Sequence, residues 1–156
     1  MALEDDIATL AGAPLFHMLE RDALRLVAFA AETRALRAGD VLFRRGDRSD
    51  GGYVVKSGAI ALDQREDGAP AFVAGPGALV GQTALFTRVI RPATALAREP
   101  STVLRVSPNL MRRVLEEFPH AASAMQAALA DELAQLTQGL ERIRRQILAI
   151  DGVADV

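Results

Sequence analysis

Residues 33–107 break into short β-like runs separated by turn-forming residues, and this stretch does most to limit what the chain can fold into. The runs are 33–37, 41–45, 53–56, 59–64, 71–74, 94–97 and 102–106, rich in Val, Leu, Ala and Thr. Between them sit Ala38-Gly39-Asp40, Gly46-Asp47, Ser57-Gly58, Glu66-Asp67-Gly68 and Glu99-Pro100. Asp67-Gly68 is a hairpin signal, because both residues tolerate positive φ. Strands this short, with a turn every ~8–12 residues, build a sandwich or a barrel.

Both flanks read as helix. Over residues 14–32, Leu19, Leu24, Val27 and the Ala30-Ala31 pair keep to one broad face, while Arg21, Asp22 and Arg25 lie elsewhere. Residues 1–13 are weakly patterned and suit either an arm or a short helix. Ser107-Pro108 opens a helix, with Ser as cap and Pro at the first helical position. That helix runs to about residue 118, and Pro119 starts another reaching residue 150. The expected fold is therefore α+β and mainly β: a jelly-roll-type β-barrel flanked by N-terminal helices and by a short plus a long C-terminal helix. The domain spans 14–118 with its β-roll at about 33–107, followed by the long helix at 119–150 and a tail at 151–156.

The last helix carries Leu133, Leu136, Leu140, Ile143, Ile147 and Ile150, spaced alternately by three and four residues. That is a heptad seam with Leu and Ile at both core positions, weakened only by Gly139, which costs ~1 kcal/mol relative to Ala. A continuous helix over 119–150 would be ~48 Å long, more than a small barrel can cover. The seam is expected to pair with a second copy, giving a homodimer.

Composition excludes several classes of function. Half of the 156 residues are apolar, enough for one domain with a real core. A net charge of −2 argues against a duplex-binding face. No cysteine is present, which removes disulfide and thiolate chemistry. His17 and His120 stand far apart, too few for a strand-borne metal site. The N-terminus is acidic, without a basic region before an apolar core, and no apolar run reaches the ~18–20 residues needed to span a bilayer. These features suggest a cytoplasmic protein that is neither an enzyme nor membrane-bound. Six residues after Ile150 leave no room for a helix-turn-helix, so no direct DNA binding is expected. Gly75, Gly77 and Gly81 miss the dinucleotide fingerprint by one residue and lack a βαβ setting.

Residues 75–95, G-P-G-A-L-V-G-Q-T-A-L-F-T-R-V-I-R-P-A-T-A, have the parts of a phosphate cradle. Glycines allow close backbone approach, a short helical turn aims N–H groups at an anion, and Arg91 offers a planar cationic fork. The pair Gly81-Gln82 followed by Arg91 resembles the phosphate-binding cassette of cyclic nucleotide-binding domains, in which Gly-Glu precedes Arg by the same interval. Residues 38–60 are similar to the front half of that family's β-barrel, and the likeness extends over roughly 14–145.

The resemblance implies a sensory module for cyclic AMP (cAMP) or cyclic GMP (cGMP), with no other cofactor, whose long helix passes the signal to a dimer partner or an unknown downstream protein. It implies phosphate-binding positions at Arg91, Ala84, Pro92 and Ala93, ribose-binding positions at Gly81 and Gln82, and base contacts from Thr94, Thr137 and Gln138. Two positions depart from the pattern. Gln82 replaces Glu, so a hydrogen bond to the ribose 2′-hydroxyl loses its charge at a cost of about 1 kcal/mol. In a working sensor, Gln82→Glu should then tighten binding. Pro92 has no N–H, and one lost bond to a charged group costs roughly 1.5–3 kcal/mol. Together they could weaken binding about a hundredfold. The alternative reading is a degenerate domain that dimerises or scaffolds without ligand.

Overall fold

The computed structural model describes residues 2–63 and 72–151, with the side chains of the last helix described as far as Ile147. Among the described residues there are four helices, α1 (Ala2–Ala11), α2 (Arg21–Ala30), α3 (Pro108–Glu117) and α4 (Pro119–Asp151), and eight strands. The strands are β1 (Glu32–Leu36), β2 (Val41–Phe43), β3 (Gly52–Ser57), β4 (Ile60–Asp63), β5 (Phe72–Ala74), β6 (Leu79–Val80), β7 (Thr94–Ala97) and β8 (Ser101–Val106). They form two antiparallel sheets of four, ordered β1-β8-β3-β6 and β2-β7-β4-β5.

This corrects the mainly-β barrel expected from sequence. The sheets do not close on one another, and more of the chain lies in helix than in strand. The reason is local. Strands of two to six residues are too short to wrap a full barrel, and consecutive strands such as β1 and β2 enter different sheets. Meanwhile α4 alone holds 33 residues, and residues 2–11, weakly patterned in sequence, form a helix.

The layers follow from β3, where side chains alternate with period two. Val54 points into a helical core with Leu10, Phe16, Val27, Leu104, Met111 and Met125. Tyr53 and Val55 point the other way, between the sheets, with Phe43, Ile60, Ala95 and Val103. Helix α1 belongs to the first core through Ile7 and Leu10, and Lys56 on β3 pins it with a 2.7 Å bridge to Asp6.

The single helix expected over 14–32 is broken. A 3-10 turn at Phe16–Met18 is followed by extended backbone at Leu19 and Glu20 before α2 begins. At the other end, Ser107 caps α3 as expected, its Oγ accepting from the Leu110 amide at 3.1 Å. The Asp67-Gly68 turn lies outside the described residues.

Helix α4 begins in the core, with Ala121 and Met125 buried, and then leaves it. Leu133, Leu136, Leu140, Ile143 and Ile147 are 53–68% exposed, so nothing among the described residues covers the seam they form. The Ile150 side chain lies beyond the described ones.

Candidate functional site

A cavity of about 370 Å³ opens between the second sheet and the glycine-rich segment. It is lined by Phe43, Leu62, Val80, residues 81–84 and residues 89–93. Gly81, Gln82, Ala84, Arg91, Pro92 and Ala93 all line this one space.

Arg91 is its charged centre. Only 2% of the residue is exposed, although a guanidinium carries a full charge and is costly to bury unpaired. Nη2 donates to the Gly51 carbonyl at 2.7 Å and to Asp50 Oδ1 at 3.2 Å. The group also stacks on Phe43, 4.0 Å from the ring centre. Nε is buried with no hydrogen-bond partner among the described residues, and Nη1 has none there either. A fork that could donate five N–H groups thus uses one end for fixation and keeps the rest unclaimed.

The backbone around it is shaped for close approach. Gly81 has φ +80°, and a Cβ there would stand 2.8 Å from Arg91 Nη1. The 3-10 turn Thr83–Leu85 follows. Within it the Ala84 amide donates to the Gly81 carbonyl at 3.0 Å, so Ala84, matched to the phosphate by resemblance, has its N–H engaged. The amides of Gln82 and Thr83, first in the turn, have no partner among the described residues, as expected at the start of a helical segment. The same holds for the amide of Ala93, next to the N–H-less Pro92.

Behind Arg91 lies a charged network that no cassette residue announces. The Tyr53 hydroxyl donates to Asp50 Oδ1 at 2.9 Å and accepts from Arg34 Nη1 at 2.9 Å. Arg105 donates to the Asp50 carbonyl at 2.6 Å and pairs with Glu32 at 3.0 Å. Burial pushes the Asp50 carboxyl up, but the Tyr53 hydroxyl and the Arg34, Arg105 and Arg91 guanidiniums together hold it below its ordinary range. Burial and the bond to Asp50 push the Tyr53 phenol up to about 12, so it remains a donor. Asp50 and Gly51 therefore fix the direction of Arg91. Gly51 itself has φ +143°, and a Cβ there would overlap the Val106 carbonyl. Gly51→Ala should cost on the order of 3 kcal/mol in urea-induced unfolding, because backbone rather than a flexible side chain must yield.

The three residues matched to the base lie elsewhere. The Thr94 hydroxyl accepts from the Arg45 amide at 2.9 Å, tying β7 to the chain beyond β2. The Thr137 hydroxyl donates back to the Leu133 carbonyl at 3.0 Å, and Thr137 and Gln138 border a separate shallow groove along α4. From α4 it is Glu132 that reaches the cassette, accepting from Gln82 Nε2 at 3.2 Å. Phe43, Asp50, Gly51, Tyr53 and Glu132 escaped sequence reasoning. Phe43 and Tyr53, 6.0 Å apart, both fall in strand-like runs well upstream of the cassette.

Residues 33–118 match the model of the cyclic nucleotide-binding domain, more than half of the chain. The chain belongs to the cyclic nucleotide-binding domain family. A cAMP-dependent protein kinase regulatory subunit of Yarrowia lipolytica is 29% identical over 111 residues, which is 71% of this chain and 29% of that protein. This chain thus spans under a third of that relative. Among solved structures, a cyclic nucleotide-binding-like protein from Brucella abortus is 38% identical, with TM-score 0.65, covering 72% of this chain and 98% of that one. The N-terminal domain of a transcriptional regulator from Streptomyces coelicolor gives TM-score 0.78 at 29% identity, covering 85% and 94%. This cyclic nucleotide-binding domain is thus related to part of a protein kinase regulatory subunit and to the N-terminal domain of a transcriptional regulator. Among the described residues, no group of three or more His, Cys, Asp or Glu could hold a metal, and no helix is long and apolar enough to cross a membrane.

Proposed function

We propose that the cavity beside Arg91 binds cAMP or cGMP, and that occupancy is relayed to α4, which pairs through its seam with a second copy. The observation that carries this reading is the buried guanidinium with unclaimed N–H groups at the wall of a cavity. A cavity of about 370 Å³ lies within the ~300–1,000 Å³ usual for small-molecule sites. A phosphodiester seated there would meet Arg91, the Gln82 and Thr83 amides at the start of the 3-10 turn, and the Ala93 amide. Its sugar would lie toward Gln82 and its base toward the apolar wall of Phe43, Leu62 and Val80. Because Arg91 Nη2 is already held by Gly51 and Asp50, the fork is oriented before ligand arrives, which lowers the ordering cost of binding.

The relay needs differential affinity between two positions of α4. The contact between Gln82 and Glu132 supplies a structural basis, since it joins the proposed sugar position to the helix. A second reading, a ligand-free scaffold, draws on the same internal pairing of Arg91 with Asp50, which could satisfy the charge by itself. Calorimetric titration of pure protein with cAMP and with cGMP separates the two. Saturable heat with one-to-one stoichiometry per chain supports sensing. No heat and no thermal shift at millimolar nucleotide would reject it.

A further inference from the structure

The replacement of the family's Glu by Gln82 has a counterpart fifty residues downstream, where Glu132 on α4 accepts from the Gln82 amide at 3.2 Å. A carboxylate offers no donor, so the NH2 end of Gln82 must face Glu132 and its carbonyl oxygen Oε1 must be the free end. Gln82 also lines the cavity. A glutamate at position 82 would instead set two like charges side by side. The negative charge missing from the cassette has thus been moved onto the helix, and the amide between them has one electrostatically favoured orientation.

We propose that Glu132 is a positioning residue for the ligand's sugar. It acts through Gln82, holding Oε1 as an acceptor toward the cavity, so that the site prefers a ribose bearing a 2′-hydroxyl over its 2′-deoxy counterpart. Its negative charge also polarises the amide, which strengthens the acceptor at the far end. This rests on the reading that the cavity takes a cyclic nucleotide. It further implies that Gln82→Glu alone will not tighten binding, because the new carboxylate would be repelled by Glu132. The gain expected from sequence should appear only when Glu132 is neutralised as well.

The test uses the full chain and two probes, 3′,5′-cAMP and its 2′-deoxy analogue (or the guanine pair, if wild type binds that better). The readout is the ratio of their Kd values in wild type, Glu132→Gln, Gln82→Glu, and the double variant. Glu132→Gln should reduce the preference for the ribo form about fivefold while leaving the 2′-deoxy affinity nearly unchanged, because a Gln–Gln pair no longer fixes the flip. The double variant should restore the preference, since the carboxylate introduced at position 82 can accept both from the amide introduced at position 132 and from the sugar. Two results would overturn the proposal: an unchanged ratio in Glu132→Gln, or equal weakening of both nucleotides without rescue, as a purely structural helix contact would give. Were wild type to bind neither probe at millimolar concentration, the cyclic nucleotide reading itself would fall and take this inference with it.

Discussion

Arg91→Gln is expected to weaken nucleotide binding by more than a hundredfold while leaving a folded protein. The variant removes a cation buried in the cavity wall and at least two charge-assisted hydrogen bonds to a phosphodiester, each worth roughly 1.5–3 kcal/mol. Three kcal/mol is already about a hundredfold in Kd. Arg91→Lys should recover only part of this, because a point charge cannot reproduce the fork that Gly51 and Asp50 hold in place. The Gln substitution also removes the stacking on Phe43 and leaves the Gly51 carbonyl short of a donor, a stability cost of about 1–3 kcal/mol. Unfolding of the free protein, measured beside the calorimetry, separates that cost from lost affinity. Unchanged binding in Arg91→Gln would mean that the ligand sits elsewhere. If neither variant nor wild type binds, the scaffold reading prevails.

The second large effect concerns α4. The pair Leu136→Asp and Leu140→Asp is expected to convert a dimer into monomers, raising its Kd by at least a thousandfold. Five described seam side chains per helix lie 53–68% exposed. Burying the exposed part of each is worth about 1–2 kcal/mol, which across two helices is enough to offset an association cost of roughly 4–15 kcal/mol. Two aspartates in each helix would set four carboxylates in that seam. The core should survive, because α4 contributes to it through Ala121 and Met125, more than a helical turn before the seam begins. Sedimentation equilibrium reads the mass directly. A wild-type chain that stays monomeric at high micromolar concentration would contradict the pairing, and so would a double variant that remains dimeric.

What could be read from the sequence and what could not divide along a physical line. Turns are local, so Gly39, Gly46 and Gly58, all at positive φ, marked strand ends to within a residue or two. β6 was missed because two residues inside a glycine-rich stretch carry no period of their own. Pairing between strands is not local, and nothing in residues 32–43 says that β1 and β2 must join different sheets. The site follows the same rule. The cassette is contiguous, so its residues could be named and do gather at one cavity. Asp50, Gly51 and Tyr53 reach Arg91 or its network from about forty residues upstream, across the sheet, with no spacing to announce them. Glu132 is one polar residue among many on a helix flank, and only the path of α4 past Gln82 distinguishes it.

Sensing by this domain requires a phosphodiester to sit against Arg91. A crystal structure of the protein grown with saturating cAMP or cGMP tests that directly. The phosphate is expected within hydrogen-bond distance of Arg91 and of the amides at Gln82, Thr83 or Ala93, with the sugar beside Gln82 Oε1. An empty cavity in such crystals, with Arg91 bonded only to Asp50 and Gly51, or a nucleotide bound at another surface, would contradict it.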